Sequence, residues 1–141
     1  MRVGFTGTRA GMTIEQMMAV NLEFGRLEAY ELHHGGCVGA DAQMHSIALS
    51  YRCSVVIHPS NLPNTQMPLK DLAGPRVEVL PERPPLERNS VIVNAVDHLI
   101  AAPAGNHEVR RSGTWVTIRG ALKAKVPVTI VYPDGIREEH R

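Results

Sequence analysis

One pattern constrains this chain more than any other: a short apolar run, a glycine-containing loop and a helical segment, repeated along the sequence. The runs around Cys53 to His58 (CSVVIH) and His98 to Ala102 (HLIAA) are short, apolar and bounded by breakers, which is the form of a strand covered on both faces. Further strand-like runs are Arg2 to Thr6, Tyr30 to His34, Val77 to Leu80 and Val126 to Tyr132. Helical segments follow. One opens at Thr13, where Thr13 and Gln16 form a capping-box pattern, with Met17, Met18, Val20, Leu22, Phe24 and Leu27 as its apolar face. Others run from Asp41 to Tyr51, from Glu87 to Ala95 and from Trp115 to Lys125. Alternating strands and helices imply parallel strands joined by crossover helices. The expected fold is therefore α/β: a Rossmann-like open parallel sheet of about five strands with helices on both faces. Ligands of such sheets bind at the carboxyl ends of the strands, where the glycine loops should converge.

The 141 residues suit one domain, placed at 1–135, with a long proline-rich loop region at 59–85 and a charged tail at 136–141 that should fray. Fifteen Lys and Arg against 14 Asp and Glu give a net charge of +1, so any polyanion must be held by a local patch or by backbone N–H groups. Cys37 and Cys53 stand in unlike contexts and read as free thiols of a reducing compartment. The amino terminus enters a strand directly, without a signal-like apolar core, and a cytoplasmic location is expected.

Three loops carry the candidate chemistry. The first, Gly4-Phe5-Thr6-Gly7-Thr8-Arg9, is neither the full dinucleotide fingerprint nor a Walker loop, and His33 and His34 stand where an acidic ribose ligand would close the second strand. It is either a tight turn or an anion loop using Gly7, Thr8 and Arg9. The second, Gly35-Gly36-Cys37-Val38-Gly39-Ala40-Asp41, lets backbone N–H groups approach a ligand at a helix amino terminus. Gly35, Gly36 and Gly39 are its candidate contacts. Asp41 either caps the helix or accepts from a ribose hydroxyl or a base amine. His45, four residues on, shares its helical face and either forms an acid–base couple with it or is a satisfied packing residue. The third runs from Pro103 to Trp115. Gly105, Arg111, Ser112, Gly113 and Thr114 are its candidate ligand residues, and Trp115 either stacks a base or packs in the core. Arg88 and Asn89, beyond Pro84-Pro85, are placed to reach a phosphate; the alternative for Arg88 is a surface pair with Glu87. No HxxxH or CxxC spacing occurs, so neither a metal site nor a cofactor is expected.

GFTGTR, HHGGCVGADAQMHSIAL, PPLERNSVIV and RSGTWVTIRGALKAKVPVTIVYPDG, in this order, resemble the SLOG superfamily of Rossmann-like domains. That group includes the DNA-processing protein DprA (Smf), YspA-like proteins, the LOG phosphoribohydrolases and molybdenum-cofactor carriers. The Gly35–Asp41 loop with His45, the Leu86–Asn89 segment and Ser112–Ile118 are most similar to the DprA-like branch. The LOG signature places its catalytic Glu three residues beyond a Gly-Thr pair, where this chain has Thr117. The resemblance implies a domain that binds a nucleotide or nucleic-acid phosphate and serves as sensor, carrier or DNA-processing module. It leaves two alternatives: a nucleoside 5′-monophosphate N-glycosidase, for which Asp41 and Glu108 are the candidate catalytic carboxylates, and DprA-like single-stranded DNA binding through Arg9, Arg88, Arg110 and Arg111. The expected partner is a nucleotide-derived ligand or single-stranded DNA, and a homodimer is implied by the resemblance only.

Overall fold

The computed structural model describes residues 1–68, 70 and 73–141. In chain order the elements are β1 Arg2–Gly7, α1 Ile14–Arg26, β2 Glu31–His34, α2 Ala40–Ser50, β3 Ser54–Ile57, β4 Val77–Val79, α3 Pro85–Ala95, β5 His98–Ala102, α4 Gly113–Lys123, β6 Val128–Val131 and β7 Arg137–His140. They build one sheet of order β4-β3-β2-β1-β5-β6-β7. Every pairing is parallel except that of β7 with β6.

Strand parity explains the two-faced core, because successive side chains point to opposite sides of a sheet. Ile100 and Ala102 of β5 pack with Val3, Phe5, Leu32, Ile57 and the buried residues of α1 and α2. Leu99 and Ala101 pack instead with Val93 of α3 and Trp115, Ile118 and Ala121 of α4. Each fully buried Leu or Ile contributes about 1.5–3 kcal/mol relative to leaving it exposed. Gly4 faces α3 because a Cβ there would stand 3.0 Å from Val96 and 3.3 Å from Ile92.

The sheet has seven strands where about five were expected. Part of the difference lies at the carboxyl terminus. The tail does not fray: Gly135, at φ 85°, closes a turn in which the Tyr132 N–H donates to the Ile136 carbonyl (2.9 Å), and 137–140 then pair with Val128–Val131. An apolar parallel strand left at the edge would expose unpaired backbone, and a charged antiparallel strand covers it. The Arg137 guanidinium also reaches back to the buried Glu23 carboxylate (3.3 Å). At the other edge, the expected strand near Val77 pairs with β3 from Val55↔Val77 to Ile57↔Val79.

The capping box of α1 is present. The Gln16 N–H donates to Thr13 Oγ1 (3.0 Å) and the Thr13 N–H to Gln16 Oε1 (3.2 Å). The same Gln16 amide donates to the carbonyls of Pro103 and Val131, tying α1 to the carboxyl ends of β5 and β6. Only part of the expected apolar face is buried. Val20, Phe24 and Leu27 point inward, whereas Met18 and Leu22 are exposed. The buried stripe follows a helical spacing of three to four residues that those two positions do not share. The loop region is anchored in part: the Val38 N–H donates to the Thr65 carbonyl and the Met67 N–H to the Gly36 carbonyl, which pins it to the second glycine loop.

Candidate anion-binding site

Chain direction along the sheet reverses at β1, with β2 on one side and β5 on the other. The strand ends splay apart at such a point and leave a crevice. A cavity of about 450 Å³ lies there, lined by Phe5–Arg9 from β1 and its loop, Gly35, Cys37 and Asp41 beyond β2, the start of α3, and Ala104 with Arg111–Thr114 beyond β5. Of the ligand residues expected from the sequence, Gly7, Thr8, Arg9, Gly35, Asp41, Arg88, Asn89, Arg111, Ser112, Gly113 and Thr114 line it. Gly36, Gly39 and Gly105 do not.

Gly39, outside the lining, holds its wall. Gly39 has φ 86° and ψ −127°, and a Cβ there would strike the Arg9 carbonyl. This contact lets the Ala40 N–H donate to the Thr8 carbonyl (2.9 Å) and docks α2 on the first loop. Gly7 permits the same approach, since a Cβ on it would lie 2.6 Å from the Ala40 Cβ. The first loop is a tight turn as well: the Gly11 N–H donates to the Thr8 carbonyl and the Ala10 N–H to Thr8 Oγ1.

Arg88 is buried and is not the surface partner of Glu87, which pairs with Arg83 (2.9 Å). Its Nη1 donates to the carbonyls of Gly35 (3.1 Å) and His58 (3.0 Å), and its Nε to Asn89 Oδ1 (2.7 Å). A Cβ on Gly35 would strike that guanidinium nitrogen, so any larger residue there displaces the Arg88 side chain from this pairing. Arg88 thus brings positive charge to the cavity floor and ties the ends of β2 and β3 to α3.

Asp41 does not cap α2. The N-cap is Gly39, and Asp41 sits in the first turn with Oδ2 accepting from the Cys37 N–H (3.2 Å). Its carboxyl is pushed up to about 6, chiefly by burial, against the opposing effects of the Cys37 amide and the Arg88 charge. Among the described residues it forms no ion pair.

Behind this loop lie paired histidines. The Gly36 N–H donates to His34 Nδ1 (2.8 Å), so His34 carries its proton on Nε2 and donates to His45 Nδ1 (2.9 Å). Burial holds the His34 imidazole well below its ordinary range, and as a neutral group it fixes the loop backbone. His33 bridges Glu31 and His58, and burial lowers His58 to about 4. Tandem histidines at a strand end were the only signal, and their partners come from other elements.

The third loop ends in a capped helix. Ser112 Oγ accepts from the Trp115 N–H, leaving the N–H groups of Gly113 and Thr114 without a protein partner among the described residues. Such amides at a helix amino terminus attract anions. Arg111 lines the cavity beside them. Trp115 packs in the core rather than in the cavity, so it does not stack a ligand there. Glu108 lies outside the cavity and pairs with Arg119 (2.6 Å).

No family model matches the sequence, and no curated protein is significantly similar to it. Solved structures share its fold. The molybdenum cofactor binding protein from Rippkaea orientalis is 21% identical with a TM-score of 0.66, covering 93% of this chain and 76% of its own. DNA processing protein A from Streptococcus pneumoniae is 21% identical with a TM-score of 0.70, covering 92% of this chain and 49% of its own. DNA processing protein A from Helicobacter pylori, described as binding single-stranded DNA, is 18% identical with a TM-score of 0.68, covering 92% and 64%. The fold is thus that of the DNA-processing and molybdenum-cofactor proteins to which the sequence motifs are similar. This chain spans about half to two thirds of the DNA-processing proteins' length.

Proposed function

We propose that this domain binds the phosphate of a nucleotide, a nucleotide-derived cofactor or a nucleic-acid end in the crevice between β1 and β5, and acts as a sensor, carrier or DNA-processing module. The observation that carries this reading is the meeting of the unpaired Gly113 and Thr114 amides, Ser112, Thr8, Arg9 and Arg111 around one cavity at the point where strand order reverses. The solved structures of similar fold described as a molybdenum cofactor binding protein and as a binder of single-stranded DNA support a ligand of this class. The near-neutral charge of the chain favours a compact ligand in a formed pocket over a long polyanion on a basic surface.

Glu108 stands away from the cavity, so of the two carboxylates considered for N-glycoside cleavage only Asp41 is positioned to meet a ligand. That weighs for binding over hydrolysis.

Thermal denaturation with AMP, inorganic phosphate and a short single-stranded oligonucleotide tests the reading. A ligand at about 100 times its Kd adds roughly 2.7 kcal/mol of stability. No shift with any of the three at millimolar concentration overturns it. A steep loss of oligonucleotide affinity with salt identifies the nucleic-acid form, and little salt dependence the small ligand.

A further inference from the structure

The cavity has two chemically opposite ends, and the second is not explained by phosphate binding. Its β5 side offers amides, hydroxyls and Arg111. Its β2 side presents Asp41, a carboxyl group only 6% exposed. A carboxylate facing an anion cavity is repulsive unless it meets something else. Arg88 does not neutralise it by contact, because the Nη1 nearest this loop is committed to the Gly35 and His58 carbonyls and Nε to Asn89. The other groups facing Asp41 are the Cys37 amide and thiol and the Gly35 amide on the loop before it; His34 and His45 lie behind as a hydrogen-bonded pair. No helix-capping bond explains Asp41 either.

We propose that Asp41 is the specificity group of this site, accepting a hydrogen bond from an amino or hydroxyl donor at the far end of a phosphate monoester whose phosphate sits at the α4 amino terminus. The inference rests on the anion-site reading above. The sheet sets the scale: β2 and β5 flank β1, so the strand ends from which the two loops depart stand two strand spacings apart, roughly 10 Å. A free phosphate cannot bridge that distance, and a nucleoside monophosphate can. Leu86 and Ile92 of α3 add an apolar wall to the cavity, suited to the flat face of a base. Burial of Asp41 disfavours its charge, which is the expected condition of a buried acceptor awaiting a donor.

Isothermal titration of wild-type protein and of Asp41→Asn with AMP, ribose 5-phosphate and inorganic phosphate tests this. Wild-type protein is expected to bind AMP at least tenfold more tightly than phosphate, and Asp41→Asn to lose about tenfold for AMP while binding phosphate at least as tightly as wild type does. Ribose 5-phosphate separates the donors: affinity close to that of AMP assigns the sugar hydroxyls, affinity close to that of phosphate the base. Equal wild-type affinity for AMP and phosphate overturns the inference while leaving the anion site standing, as does an unchanged AMP affinity in Asp41→Asn. Failure of all three probes to bind wild-type protein overturns the anion site itself. Equal wild-type affinities overturn the inference even if the variant does not fold.

Discussion

Replacing Gly39 with alanine separates a wall residue from a ligand residue. Gly39 does not line the cavity, yet its φ of 86° and ψ of −127° suit glycine alone, and forcing another residue there costs about 1–3 kcal/mol. The new Cβ also meets the Arg9 carbonyl, which is backbone and cannot rotate away, and such overpacking adds about 1–3 kcal/mol. The expected destabilisation is therefore about 4 kcal/mol. With an unfolding entropy of about 2.1 cal/mol/K per residue over a chain of this length, Tm falls by about 10–15 °C. The matching control is Gly105→Ala, where a Cβ meets nothing within 4 Å. That variant should stay within about 0.5 kcal/mol of wild type. Urea and thermal denaturation followed by circular dichroism measure both. Since the Gly39 contact sets the Thr8–Ala40 hydrogen bond, a folded remnant of Gly39→Ala should also bind phosphate more weakly. A Tm within about 2 °C of wild type would refute the argument that close approach of α2 to the first loop builds this wall.

Four further outcomes follow from the same structure. Asp41→Asn should stabilise the unliganded protein at pH 8 by about 2–3 kcal/mol in urea denaturation, because a carboxyl raised to about 6 costs folding energy wherever it is charged. That gain should shrink as pH falls through 6 and vanish below about 4. Glu23 shows the opposite sign: burial opposes its charge, but hydrogen bonds from Arg26 and Thr129 and the charges of Arg26 and Arg137 lower its pKa overall. Glu23→Gln should therefore cost about 2 kcal/mol at pH 7, with the partly exposed arginines discounting a fully buried pair, and the difference should disappear as pH drops through the lowered Glu23 pKa. Gly120→Ala, on the exposed face of α4 with open space around it, should raise stability by about 0.5–1 kcal/mol. Glu108→Gln should leave phosphate and AMP affinity unchanged in titration calorimetry, as its partner is Arg119 and not the cavity.

The fold was legible in the sequence where the pattern was local. Apolar runs followed by glycine loops located the strands of the central sheet and their ligand-bearing ends, and Thr13 with Gln16 announced α1. The β7 strand was missed because Arg137–His140 carries charges that read as a solvated tail. Its pairing depends on β6 and on the buried Glu23, far away in sequence. The Pro133-Asp134-Gly135 turn was the available signal for a hairpin. In the site, most candidate residues lie around one cavity because they follow neighbouring strands. What the sequence could not distinguish was whether a glycine admits a ligand or another helix. Gly36 and Gly39 need positive φ and tight neighbours, and both neighbours, Ile57 with Gln66 and the Arg9 backbone, belong to other elements. Of the two readings of Asp41, capping fails for the same reason: its position suits an N-cap, but the helix starts after Gly39, two residues earlier.

Backbone amide resonances followed during titration with AMP read out whether this crevice accepts a phosphate. Saturable shifts are expected at Gly113, Thr114 and Arg9 above all, with smaller changes at Cys37 and none beyond the opposite ends of the strands. Saturable shifts confined to other surfaces, or none up to several millimolar, would contradict it.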